Sequence, residues 1–555
     1  FAGVKHVARS AYRGHASGCV HGTGFVPSPH RAWCPGIGRH PRFNATASST
    51  GDANNTSGLV AAQSLSVNAA GWNNSQGKLV ATQGNLSLHT TQNTVTNTTG
   101  LIQAAQDLRF TLEGASNSLQ NSQGKIIAAR DASMSTGTLD NAAGLVAAGR
   151  NLTIDTHSQN LSNLGSQSAT NTAPLGLIAG GQMTITSGAL DNRAGLISAQ
   201  TGLSITSNGE INNSTHSGKS SLIYSGGDLH LQANGLDNST SQILAVKDAT
   251  IHAGSGNLNN TAGLVRVGQT LSVQAGSVNN SNTLATQADG SPTPTGLEAN
   301  NIAITTANLN NTQGAVRAAQ DLSLQSDGQI TNDQGELSAG RHLQISTDQA
   351  TTPSLHISNG AGLIVADQSV SVRTARLSGA GTLASQGNVT LSLQGDHTLA
   401  GTLQAGQTLQ LQTTGTLTNP ISVQANRLSV TAGNLDNQTS GALLSDQTTQ
   451  LNVAGTLNNR GLIDGADTRI QANTMNNLGT GRIYGDRVAM AAGTLNNQEE
   501  TISGITQAAT IAGRERVDIG AQSLMNREQA LIYSGGDMTI GSTLDANWLA
   551  TGAPK

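Results

Sequence analysis

Four aspartates in a recurring Leu-Asp-Asn tripeptide are the first candidates for chemistry in this sequence: Asp140, Asp191, Asp237 and Asp436. Paired carboxylates on one face carry out polysaccharide hydrolysis, and clustered aspartates bind calcium. Other copies of the tripeptide read Leu-Asn-Asn, and one turn geometry explains both residue types. We therefore interpret these aspartates as turn residues and predict no catalytic residue. A β-helix polysaccharide-degrading enzyme is the less favoured alternative.

The remaining acidic candidates carry no pattern. Asp464, Asp467 and Asp486 are scattered along the sequence, and nothing in their spacing predicts that they pair. We expect the adjacent Glu499 and Glu500 to lie in a solvated loop.

Histidines beyond residue 50 occur singly: His89, His157, His216, His230, His252, His342, His356 and His397. Most follow a strand rhythm at an outward position, as His230 does between Leu229 and Leu231. Metal sites need several ligands at suitable spacing. We therefore predict neither a metal nor a cofactor. Gly218, Lys219 and Ser220 resemble the end of a phosphate-binding loop, but Asn213 stands where that loop needs its first glycine.

The first 48 residues differ from the rest. Residues 1–44 contain six Lys and Arg, no Asp or Glu, and both cysteines of the chain, Cys19 and Cys34. Three interpretations are open for this segment. They are a metal site that also uses His15, His21, His30 or His40, a disulfide between the two cysteines, and a disordered or foreign leader. Because no tight Cys-x-x-Cys or His-x-x-x-His pair is present, we favour an irregular basic segment over 1–48.

A unit of about twenty residues repeats through the rest of the chain. It reads Gly-x-Leu/Ile-x-Ala, then Leu-x-Val/Ile, then Leu-x-Asn. Its clearest copies begin, 20 residues apart, at Gly381, Gly401, Ile421, Gly441, Gly461 and Gly481. A fixed period of this length indicates a repeat array rather than several globular domains.

The elements of one unit are short strands. In residues 401–420, Leu403, Leu409 and Leu417 belong to apolar positions that alternate with polar ones. Strands of three or four residues gain stability by stacking on the next copy, about 4.8 Å away. The sequence therefore predicts an all-β fold, a right-handed parallel β-helix over residues 49–550, with a tail at 551–555. These three leucines should point inward.

Two corners and several inserts complete the predicted turn. The glycine that opens many units, as at Gly144 and Gly314, is expected to have positive φ. The asparagine near the end should form the other corner and stack as an amide ladder. Extra residues near 158–174, 285–295 and 347–359 should leave the coil as loops, and the pattern is weak over 502–529.

Composition excludes several function classes. Only 11% of residues are charged and the formal net charge is -4, so no basic stripe is available for nucleic acid. No run of about 18 apolar residues, which a spanning helix needs, occurs. We expect no nucleic-acid partner and no membrane span.

The unit resembles the repeat of filamentous haemagglutinin-type adhesins, also called the HecA-type adhesin repeat. Good copies start at Gly144 (Gly-Leu-Val-Ala-Ala-Gly-Arg-Asn-Leu-Thr-Ile) and at Gly314. A second mark, Leu-Ile-Tyr-Ser-Gly-Gly-Asp, occurs at Leu222 and Leu531. The resemblance covers about nine-tenths of the chain.

This resemblance implies two-partner secretion through an outer-membrane transporter and folding outside the cell. It implies a secreted or cell-surface shaft of an adhesin, which attaches to a host or neighbouring-cell receptor or glycan. The stick of a contact-dependent growth inhibition toxin is the alternative. The chain shows no N-terminal secretion domain, and Lys555 follows a repeat directly, so we expect an internal piece of the shaft.

Overall fold

A computed structural model of the chain describes residues 44–166, 174–284, 295–347 and 353–553. No helix occurs among these described residues, which form strands, turns and bends. They fall into two compact units, of which one ends at Val278 and the other begins at Asn279. Each unit is a parallel β-solenoid with successive turns about 21 residues apart. The predicted all-β parallel β-helix is confirmed.

A typical turn of the first unit contains three strands, Lys78–Ala81, Leu86–Thr90 and Val95–Thr96. They pair in parallel with Leu101–Ala104, Leu108–Leu112 and Leu119–Gln120 of the next turn. Every second side chain points inward and stacks on its counterpart, so the core is a narrow column of buried aliphatic residues.

In the second unit the strands run on through the corners. Its later turns contain Thr402–Thr413, Ser422–Ala432, Ala442–Asn459, Asp467–Leu478, Arg482–Ile502 and Thr510–Asn526. Leu403, Leu409 and Leu417 are 5%, 0% and 1% exposed, so the prediction that they point inward is confirmed. Several of these strands are longer than the short ones predicted, because one or two unpaired residues at a corner do not end the pairing on either side.

An asparagine ladder runs along one inner edge of each unit, as predicted. In it each Nδ2 donates a hydrogen bond to the Oδ1 of the asparagine in the next turn, at 2.6 to 2.9 Å. The first unit contributes Asn55, Asn74, Asn97, Asn121, Asn141, Asn163, Asn192, Asn213, Asn238 and Asn260. The second contributes Asn280, Asn311, Asn332 and Asn359, and then Asn419, Asn437, Asn459, Asn477, Asn497 and Asn526.

The ladder amides are buried rather than exposed at a corner. All of them except Asn526 are at most 8% exposed. Asn74 Nδ2 also donates to the Gly77 oxygen at 3.2 Å and to the Leu101 oxygen at 3.1 Å. Because buried polar groups are costly when unsatisfied, this shared bonding makes an inward polar column compatible with a dry core.

Gly401 has the positive φ that we predicted for an opening glycine, but Gly144 and Gly314 do not. At Ala143 and Gln313, the residues just before Gly144 and Gly314, φ is 49° and 51°, whereas neither glycine has a positive φ. What these glycines provide is space. A Cβ at Gly144 would lie 2.4 Å from the Asn121 carbonyl oxygen and 2.6 Å from Asn141 Oδ1. The residue is glycine because any side chain at this point would collide with the asparagine ladder.

The boundaries of the solenoid also differ from the prediction. Asn44–Ser48 already forms a strand in parallel register with residues 64–68, so the solenoid begins before residue 49. Ala45 and Ala47 are the apolar residues that alternate with polar ones in this strand. Because alanine is small and only weakly apolar, this alternation is hard to recognise in the sequence. At the other end, Thr543–Leu544 and Ala550–Thr551 form an antiparallel pair instead of a further turn.

Most of the stretch with a weak pattern, 502–529, is part of the solenoid. Thr510–Asn526 is a strand, and Ile505–Ala508 folds back antiparallel on residues 499–502 as a hairpin. Residues 167–173, 285–294 and 348–352, from the three predicted insert loops, lie outside the described residues, as do residues 1–43.

Candidate binding surface

One outward column of the first unit consists almost entirely of hydroxyl side chains. We call it the outer hydroxyl column. Its members stand in direct parallel register: Thr46, Ser66, Ser87, Arg109, Ser133, Thr153, Thr184, Ser204, His230, Thr250 and Ser272. None of them is buried. The column offers hydrogen-bond donors and acceptors about 4.8 Å apart, with a single permanent charge at Arg109.

The signal for this column was present in the sequence. It is the middle residue of the Leu-x-Val/Ile triplet, which is Ser or Thr in most copies. Sequence reasoning found the triplet but treated its middle residue only as the polar partner of the alternation.

Three of the four Leu-Asp-Asn aspartates accept the hydrogen bond expected of turn residues, whereas Asp436 lies within the strand Asn434–Asn437. Asp140, Asp191 and Asp237 each accept a hydrogen bond from the backbone N–H two residues ahead, at 2.9, 3.1 and 3.0 Å. Burial by itself raises the pKa of Asp191, but the hydrogen bonds and charge of Arg193 outweigh it and hold that pKa below its usual value. Carboxylates fixed in this way stabilise the turn.

Two of the acidic residues that looked scattered contact the same arginine. The Arg514 guanidinium lies 3.6 Å from Asp464 Oδ2 and 3.1 Å from Asp486 Oδ1, a shared contact that their spacing in the sequence did not predict. Asp467 pairs separately with Arg469 at 2.5 Å. Residues about one turn apart in sequence become neighbours across turns, which spacing along the chain does not display. These carboxylates are neutralised by arginine on the surface.

The prediction of a solvated loop at Glu499 and Glu500 was also wrong. Both belong to the strand Arg482–Ile502. Glu500 accepts two hydrogen bonds from Arg460, both at 2.8 Å, and Arg460 also lies 3.9 Å from Asp436. The pKa of Arg460 is raised mainly by its hydrogen bonds with Glu500.

Seven of the eight histidines lie outside the core, but His397 does not. It is 9% exposed and stands in register with Leu417, at a core position. Burial, with a smaller contribution from the charge of Arg376, lowers the pKa of His397 below its usual value. The expectation of a surface histidine fails here because the repeat reads His-Thr-Leu where the next copy reads Leu-Thr-Asn.

Among the described residues, no group of three or more His, Cys, Asp or Glu could hold a metal ion. Cys19, Cys34 and the histidines near them lie outside those residues. At Gly218, an isolated bridge between His216 and Lys219 closes a small surface turn, which is not a phosphate loop. The part of the chain that the structure describes has no helix long and apolar enough to cross a membrane.

Comparison with known proteins adds one finding. A family model described as the haemagglutinin repeat matches residues 39–111, 163–215, 217–260, 357–419 and 423–499, together more than half of the chain. No curated protein and no solved structure gives a match to the sequence.

Proposed function

Because this chain belongs to the haemagglutinin repeat family, we propose that it is shaft material of a secreted or cell-surface adhesin and that it takes part in attachment. Proteins of this family are structural and adhesin-like rather than typically enzymatic, and they are generally secreted or exposed at the cell surface. The observation that carries attachment is the outer hydroxyl column, an uninterrupted and nearly uncharged row of hydrogen-bonding side chains on a rigid support.

The support is suited to that role on physical grounds. The stacked strands and the ladder fix each turn against the next, so outward side chains keep their spacing without a ligand. Binding groups that are already positioned lose little conformational entropy when a partner arrives. Repetition adds avidity, since a partner with several copies of one group contacts several turns at once.

We further propose that the chain reaches the surface by two-partner secretion through an outer-membrane transporter. Residues 44–553 contain no cysteine, so no disulfide forms there before export. Each turn makes its hydrogen bonds with adjacent turns, which lets folding proceed one turn at a time. A test is the appearance of the chain in the medium when it is fused to a secretion domain and produced with its transporter; retention in the periplasm would contradict the proposal.

Attachment is tested with beads that carry the folded chain and are mixed with erythrocytes. Glutamates placed on the column at Thr153, Thr184 and Thr250 should reduce adhesion severalfold, because they add charge to a neutral face. The matched control places glutamates at Thr138, Thr201 and Thr240, which are exposed threonines outside the column. Equal adhesion by both triple variants, or by beads with the heat-unfolded chain, would contradict attachment through this face.

A further inference from the structure

An open cleft of about 570 Å³ lies beside the first turns of the first unit. We call it the Trp72 cleft. Eleven residues line it: Asp52, Ala53, Asn54, Trp72, Asn73, Gln92, Asn93, Thr94, Thr96, Ser116 and Asn117. Its size falls within the range of ordinary ligand sites.

Unequal corner lengths create this cleft. Only Ala70 and Gly71 connect the strands Ser64–Ala69 and Trp72–Asn73. The corresponding corner has four residues, 91–94, in the next turn and six, 113–118, in the turn after it. The short corner recedes between longer ones and leaves a notch in the side of the solenoid.

The walls of the notch are held by hydrogen bonds between turns. Asn93 Nδ2 donates to Asp52 Oδ1 at 2.8 Å, across 41 residues of sequence. The hydroxyls of Thr94 and Ser118 are 2.9 Å apart, and Asn117 Nδ2 donates to the Glu113 carbonyl oxygen. The lining side chains are thus largely fixed before any ligand binds, which lowers the entropic cost of binding.

Trp72 is the one aromatic residue in the lining of the cleft. It stands in the core column between Ala53 and Val95, where neighbouring turns carry small or aliphatic residues. The side chain is 6% exposed, and its Nε1 is one of four buried side-chain polar atoms in the described residues that lack a hydrogen-bond partner. The Nε1 atom has almost no accessible surface, so a ligand in the cleft does not reach it, and Trp72 contributes part of its ring to the lining.

The lining selects the class of ligand. Nine of the eleven residues carry an amide, hydroxyl or carboxylate group, and none is Lys or Arg. Phosphate or sulfate groups would find no cation there, and an apolar peptide anchor would find no pocket. Amides, one carboxylate and an indole instead match a neutral molecule that presents many hydroxyl groups. We propose that the Trp72 cleft binds an uncharged oligosaccharide, whose hydroxyls bond Asp52, Asn73 and Asn93.

This proposal deepens the proposed attachment function, so its test must be separable from that function. The full chain is screened against an array of neutral, sialylated and sulfated oligosaccharides, and the strongest neutral binder is then titrated by calorimetry. Asn93→Ala should weaken its affinity about tenfold, equivalent to about 1.4 kcal/mol, since it breaks the bridge to Asp52.

Asn208→Ala is the matched control. Asn208 Nδ2 also bridges turns, by donating to Ser158 Oγ at 2.8 Å, but it does not line the cleft. This variant should bind like the parent chain. A chain with Trp33→Phe and Trp548→Phe retains Trp72 as its only indole, so its emission should change when the oligosaccharide binds.

Three results would overturn the proposal: no neutral oligosaccharide binds, binding is the same in Asn93→Ala and the parent, or sulfated glycans bind best and Asn93→Ala leaves them unaffected. Asn93→Ala is the deciding variant, because the exposed side chain that it removes lies outside the core. Erythrocyte adhesion by Asn93→Ala beads separates the two hypotheses. Adhesion retained without oligosaccharide binding to the cleft overturns the cleft but leaves attachment standing.

Discussion

Two stretches of the second unit build the same coil with different interiors. Residues 419–526 contain the asparagine ladder from Asn419 to Asn526 without a gap. Residues 360–418 have no ladder, because the positions after Ser378 and Thr398 are occupied by Gly379 and Leu399. Both stretches nevertheless stack in parallel register on buried leucines and valines. The aliphatic column is therefore sufficient for the fold, and the ladder is an addition to it.

The ladder-free stretch also contains a histidine at a core position where the next turn has a leucine. His397 stands in register with Leu417, and a small cavity of about 20 Å³, partly open to solvent, lies beside it. That cavity is lined by Asn359, where the first part of the ladder ends, and by Leu399. We expect this stretch to be the less stable of the two, and the following experiments test that comparison.

The largest effect should come from a charge in the shared column. Leu409 and Leu451, one in each stretch, are both 0% exposed. Leu409→Asp and Leu451→Asp should each cost several kcal/mol, since a carboxylate buried without a partner is strongly unfavourable. Hydrogen exchange of the adjacent strands measures the loss. If Leu409→Asp causes no loss of protection while Leu451→Asp does, the core of the ladder-free stretch does not exclude water.

Removal of one ladder amide should have the next largest effect. Asn459 accepts from Asn437 at 2.7 Å and donates to Asn477 at 2.9 Å. Asn459→Ala leaves both neighbours with unsatisfied buried groups, so the expected cost is about 2–4 kcal/mol. The control is the adjacent Asn458→Ala, whose amide is only partly buried and should cost under about 1 kcal/mol. Urea unfolding of the two variants compares them, and equal losses would mean that the ladder adds no stability.

The ladder-free stretch should respond to acid. Because the pKa of His397 in the folded chain is below its usual value, the unfolded chain binds the proton more tightly. Stability is then complete at pH values above the usual histidine pKa and falls as the pH drops below it, towards the folded-state pKa. His397→Leu should remove this dependence and raise stability by about 1 kcal/mol through filled space. The matched variant His356→Leu changes an exposed histidine.

Hydrogen exchange over residues 389–411 at pH 7.5 and pH 5.5 reports this local change. Unchanged acid sensitivity in His397→Leu would assign the pH dependence to another group. A parent chain whose residues 389–411 are equally protected at both pH values would contradict the role of His397 altogether.

The smallest effect should come from the ion pairs that accompany the ladder. Arg460, which bonds Glu500, is 29% exposed at its side chain. Arg460→Gln should cost about 1 kcal/mol or less, and added salt should reduce the difference, because partly exposed ion pairs are screened. Thermal unfolding at low and high salt is the measurement. A loss as large as that of Asn459→Ala would attribute the stability of residues 419–526 to charge rather than to amides.

The sequence predicts the coil well because the coil is a local pattern. Leu403, Leu409 and Leu417 alternate with polar residues, and alternation alone determines which side faces inward. The asparagines are equally readable, since nearly every one lies two residues after the last apolar residue of its unit, which is most often a leucine. His397 could also have been found, by aligning its turn with Leu417, 20 residues later.

Other features depend on which residues become neighbours across turns. A glycine at a corner looks the same in the sequence whether it is needed for a positive φ or for the absence of a side chain. At Gly144 the nearby Asn121 carbonyl oxygen shows that the absence of a side chain is what matters. The hydrogen bonds between Arg460 and Glu500 join two residues that are 40 positions apart in the sequence and belong to different turns. The Trp72 cleft arises from differences in corner length between neighbouring turns, which no single copy of the repeat contains.

The ladder also has a direction. Between members of the buried ladder, every Nδ2 donates towards the C-terminus and every Oδ1 accepts from the N-terminal side. A partly formed stack thus ends in an amide N–H, which serves as a one-way template: an incoming turn fits only if it brings an amide oxygen to that point. A turn shifted in register would present a leucine there instead and leave the donor empty. This selection at each step would keep nearly identical turns from pairing in the wrong register.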